Sequence, residues 1–228
     1  AVPASWNDQF EDGRDFFGPA WYQTDFSLPW GWNDKRIMLR FGSVNYMAEV
    51  WLNEINLGMH EGGHLPFDFD ITSFARPTGN HLVVRVDGRM AFDHVPPGNV
   101  TGDPIDFFPG HAGNNPPAQF DFFPYCGIQR PVYLYATPQI SILDITVQTK
   151  IADSHSRVCV RIVKTETTSA VARFHLEGYG QHITIETDFS GKVAEVDMDV
   201  PDAALWFPDT PNLYDVSVGL VQNGAVID

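Results

Sequence analysis

Three groups of residues have types and spacings that could do chemistry. His60-Glu61-Gly62-Gly63-His64 matches HExxH, the signature in which two histidines hold zinc and the glutamate activates water. That chemistry needs one helix with both histidines on the same face. Two adjacent glycines and Pro66 oppose a helix, so the residues read as a loop before a strand over 65–69, with no metal site. Asp68 and Asp70 could offer oxygens to calcium, but they alternate along that strand without further oxygen ligands nearby in sequence. Asp70 reads instead as the cap of a single helical turn running into Phe74. The third group centres on Asp121, set between Phe120 and the pair Phe122, Phe123. A carboxylate among aromatics is costly to desolvate unless something binds it, so a buried or cleft-facing acid is expected. The alternative is a turn cap that meets Arg130.

The residues before Asp121 belong to a stretch over 89–119 that has no periodicity and holds Pro96, Pro97, Gly98, Gly102, Pro104, Pro109, Gly110, Gly113, Pro116 and Pro117. Connections of this length in a compact domain are functional or disordered. Within it, Phe107, Phe108, His111, Asn114 and Asn115 offer aromatic faces and hydrogen-bonding side chains and are candidate ligand contacts.

The elements that must position this stretch read as strands. Tyr22, Thr24, Phe26 and Leu28 alternate with Gln23, Asp25 and Ser27. Ile37, Leu39 and Phe41 alternate with Arg36, Met38 and Arg40. Residues 46–52 and 55–58 form a hairpin by spacing across Asn53-Glu54, a turn whose type is open because glutamate adopts a left-handed backbone poorly. Leu82, Val84 and Val86 mark a further inward face, and 132–135 alternate again. Beyond Pro138, apolar alternation near 145–151, 158–162, 170–176, 193–196 and 216–221 has the rhythm of an immunoglobulin-like sandwich. Asn223-Gly224 is a strong hairpin turn.

Composition agrees with an all-β chain: 17 prolines and 19 glycines favour many turns over long helices. A net charge of −15 argues against nucleic acid or an anionic membrane surface as partner, since both need clustered Lys and Arg. No apolar run approaches the ~18 residues of a spanning helix. Cys126 and Cys159 have no metal-ligand spacing and read as small buried hydrophobes. Asn99-Val100-Thr101 is a glycosylation sequon, a pattern that arises often by chance. No phosphate loop and no Ser-His-Asp constellation with a strained elbow is present, and no cofactor is expected.

Several of these stretches resemble glycoside hydrolase family two, and β-glucuronidases within it: VPASWND at the start, HEGGHLPFDFDIT, HVPPGN, FDFFPYCGIQR over 120–130, and LWFPDTPNLY over 205–214. The resemblance implies a jelly-roll, galactose-binding-like β-sandwich over 1–138 and an immunoglobulin-like β-sandwich over 139–228. It also implies a third domain, an α/β barrel carrying two glutamates of a retaining mechanism. That barrel is missing from these residues, as is an early strand that precedes the first domain in β-glucuronidases. A chain ending soon after Asn223-Gly224 also breaks off in mid-strand, as expected of a piece of a longer polypeptide.

By this resemblance the chain is a non-catalytic amino-terminal part of a hydrolase of β-glucuronides, inactive alone, in which Asp121 binds hydroxyls of the sugar held by the barrel. His111, Asn114 and Asn115 would shape the cleft. The carbohydrate and the barrel are its expected partners, and a homo-oligomeric parent is compatible with the resemblance. A β-galactosidase or β-mannosidase relative is the alternative parent, and a stand-alone carbohydrate-binding or scaffold module the alternative class.

Overall fold

The computed structural model describes residues 1–89, 91, 93–95, 125–151 and 155–228. Its contacts divide the chain into two compact units, Ala1–Ala136 and Thr137–Asp228, each with its own core. Both are built almost wholly of strands, the all-β class expected.

The first unit opens with a single helical turn, α1 (Trp6–Gln9), capped by Ser5, whose side chain accepts from the Asn7 N–H. There follow β1 (Pro19–Phe26), β2 (Arg36–Phe41), β3 (Val44–Asn45), β4 (Met47–Leu52), β5 (Ile55–Glu61), β6 (Phe67–Asp70), β7 (Asn80–Asp87), β8 (Gly127–Ile128) and β9 (Val132–Thr137). One sheet runs β1-β7-β4-β5, the other β6-β2-β9, and β3 pairs with β8 in a short ribbon. The two-residue period decides what faces in: Ile37, Leu39 and Phe41 of β2, Ala48, Val50 and Leu52 of β4, and Leu82, Val84 and Val86 of β7 are all buried in one cluster. Each such large aliphatic or aromatic side chain contributes roughly 1.5–3 kcal/mol. Between the edge strands β1 and β9 the sandwich gapes, leaving a cavity of about 720 Å³ lined by Tyr22, Phe26, Leu39, Phe41 and Leu134, with Ala1 and Val2 also on its wall.

The second unit holds β10 (Ile142–Lys150), β11 (His155–Lys164), β12 (Ala170–Gly178), β13 (Gln181–Phe189), β14 (Val193–Pro201), β15 (Trp206–Phe207), β16 (Thr210–Pro211), β17 (Asp215–Gln222) and β18 (Ala225–Val226). A β10-β11-β14 sheet and a β13-β12-β17-β18 sheet enclose Val160, Ile162, Phe174, Leu176, Met198 and Leu220. The LWFPDTPNLY run forms the β15-β16 ribbon, tied by Asn212 Nδ2 donating to the Leu205 carbonyl at 2.9 Å and by Ala204 N–H donating to Tyr214 Oη at 2.8 Å.

Four readings change. The start of the chain, for which no element is expected, contains α1. His60 and Glu61 close β5 instead of lying in the loop, which begins at Gly62. A strand over Gln181–Phe189, signalled by Ile183 and Ile185 alternating with polar residues, joins those expected in the second unit. Cys159 is partly exposed beside Glu195, because it stands on the outward side of β11 between the inward Val158 and Val160; Cys126 is buried as expected.

Candidate functional site

Asp121, His111, Asn114 and Asn115 lie outside the described residues, as do Phe107 and Phe108. The site is therefore built from what anchors the segment that carries them, between Val95 and Tyr125.

Both anchors fall on adjacent residues. Asn45 Nδ2 donates to the Tyr125 carbonyl, and the Tyr46 hydroxyl accepts the Val95 N–H at 3.0 Å. The peptide between Asn45 and Tyr46 is cis. Tyr46 is fixed at three further points: its N–H donates to the Asp87 carbonyl at 3.2 Å, its carbonyl accepts from Gly62 N–H at 3.1 Å, and its ring stacks on His94 with centroids 3.9 Å apart. His94 Nε2 stands 3.5 Å from Glu61 Oε1, so the entering stem is held from β5 as well.

The returning stem is zipped against the opposite side. Val44 and Asn45 pair with Ile128 and Gly127, the Gln129 N–H donates to the Ser43 carbonyl at 3.1 Å, and Gly42 N–H donates to Pro131 O at 3.0 Å. Gly127 has φ +112°, and a Cβ there would stand 2.6 Å from the Tyr22 hydroxyl, so this position requires glycine on both counts. The amino-terminal residues add a third layer. Ala4 N–H donates to Ile128 O at 2.9 Å, Trp6 N–H to Cys126 O at 3.3 Å, and Asn7 Oδ1 accepts the Cys126 N–H at 2.9 Å.

Electrostatics at this end centre on Asp87, buried at the end of β7. Arg89 reaches it with Nε at 2.9 Å and Nη2 at 2.6 Å, and Arg85 Nη2 with 2.9 Å. Burial works to raise its pKa, but the Arg89 hydrogen bonds and the charges of Arg89 and Arg85 outweigh that and leave it below the ordinary carboxylate value. Cys126 experiences the opposite: burial, reinforced by the negative charge of Asp87, pushes its thiol up to about 12, so it is inert as a nucleophile.

Chemically, this end is a rigid mount. Among the described residues no three His, Cys, Asp or Glu side chains gather as a metal site, and His60 with His64 does not form a helical pair because β5 and a turn hold them. Strand periodicity did not point to Asn7, Asn45, Tyr46 or Asp87.

Residues 1–138 match glycosyl hydrolases family 2, sugar binding domain, and residues 140–228 match glycosyl hydrolases family 2. The β-glucuronidase of Felis catus is 34% identical over 226 residues, covering 91% of this chain and 32% of that protein, and the β-glucuronidase of Paenibacillus borealis is 33% identical, covering 97% and 37%. The structure of Bifidobacterium dentium β-glucuronidase complexed with coumarin-3-O-glucuronide superposes with a TM-score of 0.83 at 30% identity, over all of this chain and 42% of that one. The chain thus spans about a third of the length of the curated relatives it matches. Two matched segments, the β-sandwich folds and the β-glucuronidase relatives agree: the chain belongs to glycoside hydrolase family 2.

Proposed function

We propose that this chain supports hydrolysis of β-glucuronides by a catalytic barrel contributed by the rest of a longer polypeptide, with a sugar-binding domain over 1–138 and an immunoglobulin-like domain over 139–228. Retaining hydrolysis needs two carboxylates about 5–5.5 Å apart, one as nucleophile and one as acid and then base. One carboxylate presented by a neighbouring domain orients the sugar but does not cleave it. In this reading Asp121 accepts hydrogen bonds from hydroxyls of the bound glucuronide, and His111, Asn114 and Asn115 line the same cleft.

The observation that carries the proposal is the double anchorage at Asn45 and Tyr46, which fixes both ends of the segment bearing these residues to one rigid corner of the first unit. Orientation by a carboxylate is effective only when its support is fixed to within a fraction of an ångström.

The test is steady-state hydrolysis of an aryl β-glucuronide by the full-length gene product and its Asp121→Asn variant. The expected result is a fall in kcat/KM of about 100-fold, typical of losing a charged hydrogen bond to substrate, with an unchanged melting temperature. Unaltered kinetics would remove Asp121 from the site. Faster turnover of the matching β-galactoside or β-mannoside would reassign the parent.

A further inference from the structure

The outward face of the β1-β7-β4-β5 sheet carries an aromatic pair that the role proposed for Asp121 does not use. Trp21 of β1 and Trp51 of β4 meet diagonally across β7, with ring centroids 5.5 Å apart and planes inclined by 28°. The registers that bring them there are Trp21 opposite Arg85, which is opposite Glu49, and Gln23 opposite Val83, which is opposite Trp51. Trp21 is 62% exposed. A tryptophan recruited for packing would be largely covered, because its indole is among the largest apolar surfaces a chain can bury. Here one indole is held in place by the other while much of its surface faces water.

Polar groups rim the pair. Glu49 Oε1 accepts from Asn56 Nδ2 at 3.0 Å, the Arg85 guanidinium is anchored on Asp87 at 2.9 Å, and Gln23 is exposed beside the aromatic pair. A flat apolar ring surface edged by an amide, a carboxylate–amide pair and an oriented guanidinium complements a pyranose, which has an apolar face of C–H groups and a rim of hydroxyls. Because the two indoles already hold each other, little side-chain freedom remains to be lost on binding.

Charge selects among glycans. The same face carries Asp25, Glu49 and Glu61 against His81, while Asp87 is buried and taken up by Arg85 and Arg89, in a chain of net charge −15. Polyuronates would be repelled. We propose that Trp21 and Trp51 form a binding platform for a neutral, β-linked pyranose chain, whose flat ribbon lies along the aromatic pair with its hydroxyls toward Glu49, Asn56 and Gln23.

The test is isothermal titration of this chain with cellohexaose and with xylohexaose, using an oligogalacturonate of equal length as the anionic probe. Binding of a neutral probe with Kd near 10⁻⁴–10⁻³ M is expected, the weak range of a single open platform. Trp21→Ala should weaken it at least tenfold and Trp21→Tyr only about threefold, with both variants folded by circular dichroism and Trp21→Ala losing only the modest stability of the stack on Trp51. Asp121→Asn should leave this binding unchanged, so the platform and the Asp121 reading fail separately. No heat with either neutral probe at several millimolar, equal binding of the oligogalacturonate, equal affinity of Trp21→Ala, or light scattering showing a dimer that Trp21→Ala dissociates would each overturn the assignment.

Discussion

Asn7 Oδ1 accepts the backbone N–H of Cys126 at 2.9 Å, a bond that joins residues 119 positions apart and clamps the returning stem to the amino-terminal turn. The same side chain donates through Nδ2 toward the carbonyls of Gly13, Arg14 and Phe16 at 3.1, 2.9 and 3.0 Å, and it is only 5% exposed. One amide therefore satisfies backbone groups from two distant stretches.

Replacing Asn7 with alanine removes the side-chain acceptor of the buried Cys126 N–H and the donor to the Gly13 and Arg14 carbonyls, while the Phe16 carbonyl keeps its bond from Trp6 Nε1 at 2.8 Å. Each buried polar group left without a partner costs about 1–3 kcal/mol, and the carbonyls also lie near solvent-accessible chain, so a total loss of about 3 kcal/mol is expected. Urea unfolding should show it as a lower midpoint, and hydrogen exchange should show faster opening of the Cys126 amide. A midpoint within error of the unsubstituted chain would mean that water replaces Asn7.

Asp87 makes a prediction about acid. Its folded pKa lies below the ordinary value of 3.8, so its contribution to stability is present above that value and is lost as pH falls through the folded pKa. Asp87→Asn should be destabilised by about 1–3 kcal/mol at neutral pH, where Arg85 and Arg89 lose their charged acceptor. The two proteins should converge as the buffer is taken below about pH 4. Chemical denaturation at a series of pH values checks this. A constant difference down to pH 2 would place the stabilisation elsewhere.

These two anchors show how far local sequence can be read. Strands announced by alternation, such as 36–41 and 80–87, fall within a residue or two of where Ile37, Leu39, Val84 and Val86 put them, because the period of two directly encodes which side chains are buried. The Asp70 cap was legible for the same local reason: its Oδ1 accepts from the N–H of Thr72, two residues on, at 3.1 Å. The support of the candidate site was not legible, because Asn7 with Cys126 and Asn45 with Tyr125 are pairs distant in sequence, and nothing near either residue signals its partner. The extra strand at Gln181–Phe189 was readable from Ile183 and Ile185, but its mostly polar outward face masks its kinship with the more apolar runs around it.

The hairpin between β4 and β5 settles the turn that the sequence left open, and it yields a last prediction. Asn53 and Glu54 have φ of 51° and 71°, both in the left-handed region, which makes the connection a type I′ turn. Asparagine tolerates that conformation, and Asn53 is also used: it donates to Phe74 O at 2.9 Å and accepts from His81 N–H at 2.9 Å, so the turn is stitched to β7. Glu54 is exposed and carries the backbone cost of about 1–2 kcal/mol that any residue with a Cβ has there. Glycine removes that cost but gains freedom in the unfolded chain, which offsets part of it. Glu54→Gly should therefore raise stability by about 0.5–1 kcal/mol, and Glu54→Ala, which keeps the Cβ, should not. Asn53→Ala should lose about 2 kcal/mol, because it removes the tertiary hydrogen bonds as well as the conformational preference. Thermal unfolding of the three variants separates the contributions: a Glu54→Gly protein no more stable than the parent would show that strain at residue 54 has been relieved by the hairpin around it.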